Sequence, residues 1–156
     1  INKICNKEDD MEKYVVGLVF DETERVMLIE KKRPDWQKGV LNGVGGEIKE
    51  NETPLDAMIR ECKEESGLFI HNWHLYDAVT FNNGIELNYF CCLVKKDFLD
   101  TAKTLTDEKI LIYPCSCIVG KLHNDIKQMI DDITKLGAVH IDFVSKYELL
   151  FSKEEK

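Results

Sequence analysis

Glu61, Glu64 and Glu65 stand close together in the run Gly46–Leu68, GEIKENETPLDAMIRECKEESGL. On a helix, at about 100° per residue, they fall within an arc of roughly 100°. Carboxylates so close repel one another unless positive charge sits among them. Carboxylate oxygens suit hard divalent cations, so Mg²⁺, with Mn²⁺ as a substitute, is the natural guest. Arg60 lies one turn from both Asp56 and Glu64 and can hold a carboxylate by a charge-assisted hydrogen bond. A solvated Glu/Lys face would carry three glutamates equally well, so the surrounding pattern has to decide.

The run predicts one helix with marked ends. Thr53 can cap it, Pro54 suits its first position, and Asp56 completes a capping box. Gly67 suits the left-handed stop. Leu55, Met58, Ile59, Cys62 and Ser66 share one face, expected to look into a core. Ahead of the helix, Gly45 and Gly46 permit a tight turn and let a backbone carbonyl approach a metal.

Gly46, Glu52, Arg60, Glu61, Glu64, Glu65 and Gly67 fit the pattern G-x5-E-x7-R-E-U-x-E-E-x-G-U, with Cys62 and Leu68 at the apolar U positions. This resembles the Nudix box, complete at every fixed position. The resemblance implies divalent-metal hydrolysis of a nucleoside diphosphate linked to another group. It implies an α+β fold, an α/β/α sandwich with a mixed central sheet. It also implies roles: Glu64, Glu65 and the Gly45 carbonyl as metal ligands, Glu61 as ligand or general base oriented by Arg60, and Glu52 as support through water or a second metal. A further ligand or base is expected from a later loop, where Glu108 is the candidate, with Asp107 beside it.

The loop Lys31-Lys32-Arg33-Pro34-Asp35-Trp36 is basic and carries one tryptophan. Beside a metal site, Lys31 and Arg33 become candidates for phosphate contacts and Trp36 for a base platform. With Leu41-Asn42-Gly43-Val44-Gly45-Gly46, this loop resembles the oxidised purine nucleoside triphosphatases of the family. That likeness gives Asn42 a purine edge and Lys31 a phosphate. Leu41 departs from it, since that subgroup has Trp there. Asp131-Asp132 could supply base-reading acids or be a solvated helix face.

One domain spanning residues 1–156 is expected, with residues 1–12 as a loose arm. The net charge of −8 argues against a general nucleic-acid or anionic-membrane surface, though capped RNA stays open as a substrate. No apolar run approaches a membrane span, and nothing at the start looks like a signal peptide. The six cysteines are therefore read as reduced thiols of a cytoplasmic protein, monomeric or homodimeric. His71 and His74 are read as surface residues.

In chain order, the pattern predicts strands at Tyr14–Phe20 and Val26–Glu30, antiparallel to each other. A short strand is expected at Val40–Val44 and another over Phe69–Phe81, interrupted near Asn72. Asn82-Asn83-Gly84 signals a hairpin into Ile85–Lys95, whose two-sided apolar interior marks a central strand. Asp97–Lys109 reads as polar loop and Ile110–Tyr113 as strand. Lys121–Leu136 reads as helix ended by Gly137, Val139–Val144 as a last strand, and 152–156 as a charged tail.

The leading expectation is a Mg²⁺-dependent (d)NTP pyrophosphatase releasing a nucleoside monophosphate. ADP-ribose, NADH, a dinucleotide polyphosphate or capped RNA are alternative substrates. A nucleotide sensor that does not cleave is a third possibility, disfavoured by the intact Glu61, Glu64 and Glu65.

Overall fold

The structure, a computed structural model, describes residues 11–135. The expectations for Gly137, Val139–Val144 and the tail lie outside the described residues, as does most of the N-terminal arm.

The chain opens on two antiparallel strands, β1 (Lys13–Asp21) and β2 (Arg25–Glu30), with Val19 opposite Met27. Their turn is held by Asp21, whose Oδ1 accepts from the Thr23 and Arg25 backbone N–H groups. Then come β3 (Val40–Asn42), β4 (Val44–Glu47), α1 (Pro54–Ser66), β5 (His74–Thr80), β6 (Glu86–Val94), α2 (Lys96–Leu99), β7 (Lys109–Pro114), β8 (Lys121–Leu122) and α3 (Asn124–Lys135).

The strands run β5-β6-β1-β2-β3-β8, with β4 also beside β1 and β7 beside β2. β6 lies between β5 and β1, antiparallel to one and parallel to the other. Its apolar run needs burial on both faces, and this place supplies it. One face of the sheet packs on α1 through Val15, Val19, Met27, Val44, Met58 and Cys62. The other packs on α3 through Leu18, Phe20, Leu28, Leu41, Ile126 and Ile133. The result is the expected α/β/α sandwich with a mixed sheet. Among the described residues no helix is long and apolar enough to cross a membrane, and Cys62, Cys92, Cys115 and Cys117 are free thiols.

Several expectations need correction. Val40–Val44 is not one strand, because the chain breaks at Gly43, where a Cβ would lie 2.6 Å from the Gly17 carbonyl oxygen. The stretch 69–73 is not strand. Ile70 and Trp73 are pulled into the core, so regular pairing begins only at His74. The loop after β6 contains α2, which buries Leu99. Lys121 and Leu122 pair with β3 rather than opening the helix, which starts at Asn124. Leu55 is 40% exposed. The buried stripe of α1 is turned toward Glu65, and Ala57, Met58, Cys62 and Ser66 complete it.

Candidate active site

α1 starts and stops where its end residues permit. Thr53 Oγ1 accepts from the Asp56 N–H at 3.1 Å, and Asp56 Oδ2 accepts from the Thr53 N–H at 3.3 Å. Gly67 closes the helix at φ 77°, donating its N–H to the Lys63 carbonyl. With Asp56 committed to the cap, Arg60 is left to its other neighbours.

Arg60 is the hub of the site. Its Nε and Nη2 donate to the two oxygens of Glu52 at 2.6 and 2.8 Å. Nη1 donates to Glu61 at 2.8 Å and to Glu64 at 3.3 Å, and Nη2 also donates to the Glu47 carbonyl at 3.0 Å. Glu52 thus meets Arg60 directly. The Arg60 hydrogen bonds, above all, hold the Glu52 carboxyl down at about 2. Because this folded value lies below the ordinary 4.5, the pair's contribution to stability is complete above about pH 4.5. It is lost as pH falls toward about 2. Glu52→Gln is therefore expected to flatten the loss of stability over that window, as read by thermal denaturation at stepped pH.

β4 brings its glycines beneath the helix by pairing with β1, Gly45 opposite Val16 and Gly46 opposite Val15. A Cβ on Gly46 would sit 2.5 Å from Glu61 Oε1, so the missing side chain is what lets Glu61 lie over the strand. Gly46→Ala is expected to push Glu61 out of place and lower kcat about tenfold or more, with a far smaller effect on KM. Steady-state kinetics on a nucleotide substrate would check this.

Glu65 is buried, 7% exposed, and its Oε1 accepts from the Gly45 N–H at 2.7 Å. Burial pushes its carboxyl up to about 8, against the pull of that N–H, and neighbouring Glu61 and Glu108 push the same way while Lys31 opposes them. Glu108, distant in sequence, is thereby within electrostatic reach of Glu65. It is itself buried, accepting from Lys31 Nζ at 3.3 Å and from the Lys32 N–H at 2.7 Å. Arg33 pairs with Asp107 on the same loop.

Other expected residues have partners outside this hydrogen-bonded cluster or stand in solvent. Asn42 is half-buried; its Oδ1 accepts from the Gly43 N–H and its amide nitrogen lies 3.4 Å from Gln37 Oε1. Trp36 stands out in solvent at 72% exposure, on a short 3₁₀ turn. Asp131 is exposed, whereas Asp132 accepts from the Tyr76 hydroxyl and from Gln128. Sequence reasoning missed the Glu47 carbonyl and the Lys32 N–H. Both are backbone groups, and no side-chain pattern announces them.

Glu61, Glu64, Glu65, Glu108 and the Gly45 carbonyl are oxygen donors, four of them carboxylates, and in kind they suit Mg²⁺ or Mn²⁺. Burial is the main cause of the upward push on Glu65, and the carboxylates of Glu61 and Glu108 add to it; a cation among them would oppose both. In the arrangement seen, no three Asp, Glu, His or Cys side chains converge into a metal-holding cluster among the described residues. Glu61 and Glu64 turn to Arg60, Glu65 to Gly45, and Glu108 to Lys31.

Comparison with known proteins gives the family. A family profile described as the NUDIX domain matches residues 11–110. The chain is 28% identical over 109 residues to an 8-oxo-dGTP diphosphatase of Proteus vulgaris, covering 68% of this chain and 88% of the relative. It is 40% identical over 68 residues to an oxidized purine nucleoside triphosphate hydrolase of Mus musculus, covering 44% of this chain and 42% of that protein. In fold it is similar to the NUDIX domain of Shewanella oneidensis NrtR, solved with ADP ribose, at a TM-score of 0.67 and 15% identity over 80% of this chain and 87% of that one. The chain belongs to the Nudix family, whose hydrolases act on phosphoanhydride bonds.

Proposed function

We propose that the protein is a Mg²⁺-dependent pyrophosphatase of purine nucleoside triphosphates, oxidised purines among them, releasing a nucleoside monophosphate and pyrophosphate. The observation that carries this reading is the gathering of Glu52, Glu61 and Glu64 around Arg60, one helix turn from the buried Glu65.

Glu61, Glu64, Glu65, the Gly45 carbonyl and Glu108 would hold the metal. When bound, the metal neutralises phosphate oxygens and acidifies water. The chain's own groups do the rest. Arg60 fixes Glu61 and Glu64 against each other, so that whichever takes the proton from water is already oriented. Glu52 holds Arg60 by a two-pronged pair and keeps its fork pointing at those carboxylates. Lys31 lies against Glu108 and can turn its ammonium to a phosphate oxygen. Arg33, on the exposed side of the same loop, offers a second phosphate contact. Water adds to one phosphorus, the bridging P–O bond breaks, and the proton taken by the carboxylate returns to the leaving phosphate.

For substrate choice the support is the partial likeness to oxidised-purine hydrolases together with Asn42, whose amide can both donate and accept at a purine edge. Trp36 would serve only if its loop folds inward over a bound base. Asn42→Ala is expected to erase the preference for purine over pyrimidine triphosphates, at unchanged thermal stability. Competition between dGTP and dCTP in one assay measures it. A preference that survives the substitution removes Asn42 from base reading.

A further inference from the structure

β7 runs beside β2 in the register that sets Lys109 opposite Glu30. The next residues along, Glu108 and Lys31, are thereby neighbours. Lys31 Nζ donates to Glu108 Oε1 at 3.3 Å, with the lysine side chain 21% exposed and the glutamate side chain 8%. The other carboxylate oxygen, Oε2, accepts from the Lys32 N–H at 2.7 Å. Burial raises the Glu65 carboxyl, and the Lys31 ammonium opposes that rise. Lys31 is thus a counter-cation within reach of two of the carboxylates that would hold a metal.

The backbone at both ends of this contact is pinned. The Lys31 N–H donates to the Val40 carbonyl at 2.9 Å, and its carbonyl accepts from the Gly39 N–H at 2.8 Å. The Glu108 N–H donates to Thr106 Oγ1 at 3.2 Å. Lys31 can therefore move its ammonium by side-chain rotation alone. When it does, Glu108 keeps the Lys32 bond and with it its orientation, and only Oε1 is released. A buried carboxylate stripped of its counter-charge is strongly disfavoured. Lys31 leaves Glu108 readily only when another cation replaces it. A cation reaches Oε1 readily only when the ammonium has another anion to meet.

We propose that Lys31 is an exchangeable counter-cation that holds Glu108 until a divalent cation takes Oε1 and a nucleotide phosphate takes the ammonium, so that metal and nucleotide bind cooperatively. The inference rests on the metal-dependent hydrolase reading and adds a coupling to it: each ligand alone binds more weakly than in the presence of the other. Arg33 differs. It pairs with Asp107, both side chains are exposed, and Asp107 is not among the metal donors. It offers the same change of charge on the same loop without the coupling.

Mn²⁺ binding to the full chain without nucleotide, read by the loss of the free-ion EPR signal, tests the first half. Lys31→Met should bind Mn²⁺ roughly three- to thirty-fold more tightly than wild type, because Oε1 is no longer engaged. Arg33→Met should change the affinity by less than about twofold. Adding Glu108→Gln to Lys31→Met should abolish the gain. Lys31→Gln keeps a neutral donor for Glu108 and replaces the methionine variant if that one does not fold, with the same expected signs. The second half is read from the Kd of the α,β-methylene analogue of dGTP, measured with Mg²⁺ and with EDTA. Chelation in solution is common to all the proteins and cancels when the ratio of the two constants is compared between them. That ratio should fall roughly three- to thirty-fold in Lys31→Met. Unchanged or weaker Mn²⁺ binding in the lysine variants, or a ratio equal to that of wild type, overturns the proposal. Both effects in a protein that leaves dGTP intact would count against the hydrolase reading alone.

Discussion

Glu64→Gln should lower kcat by about 10²- to 10⁴-fold and leave the fold intact. The magnitude is what a positioned proton-transfer or charge-bearing carboxylate contributes. The expectation of an intact fold comes from place: the Glu64 side chain is 52% exposed, and its contact with Arg60 is the longest in the hub at 3.3 Å. An exposed pair of that kind contributes about 0–1 kcal/mol. Glutamine keeps the size and an acceptor oxygen but loses the charge that would hold a cation. Single-turnover kinetics and a urea melt on the same preparation would separate the two effects. Turnover at the wild-type rate would take Glu64 out of the mechanism.

Arg60→Met should act on both stability and activity. The guanidinium is four-fifths covered and meets Glu52, Glu61, Glu64 and the Glu47 carbonyl. Methionine preserves the apolar stem and removes every donor. Three carboxylates would then face one another with their common counter-charge gone. Breaking a fully buried pair costs about 3–5 kcal/mol, and this partly exposed hub should cost about 2. Urea denaturation at pH 7 reads it, and added Mg²⁺ should restore part of the loss by supplying positive charge among the same carboxylates. Arg60→Lys should recover less of the activity than of the stability, since an ammonium lacks the planar fork that sets the carboxylates at fixed angles. Equal recovery of both would mean that Arg60 acts only as a charge.

The two predictions rest on residues whose roles are legible in the chain to different degrees. Helix α1 is readable end to end, because Thr53, Pro54, Asp56 and Gly67 are local signals with local causes. The central place of β6 follows from an apolar run that needs burial on both faces. What sequence cannot show is how side chains from distant segments share partners. Arg60 reaches Glu52 and the Glu47 carbonyl only because the loop before α1 folds back along the helix. Glu108 meets Lys31 because β7 pairs with β2 in the register that sets Lys109 opposite Glu30. The stretch 69–73 misleads for a related reason: Ile70 and Trp73 suit a strand, but they serve as plugs over the core. Leu55 misleads because helical periodicity fixes a face only to within about a residue, and the bond between Gly45 and Glu65 decides the rotation.

The measurement closest to the central claim is ³¹P NMR of the products formed from dGTP and 8-oxo-dGTP by the wild-type protein with Mg²⁺. The expected products are a nucleoside monophosphate and pyrophosphate in equal amounts, with both signals absent when EDTA replaces the metal. Orthophosphate with a nucleoside diphosphate, or turnover that continues undiminished in EDTA, would contradict it.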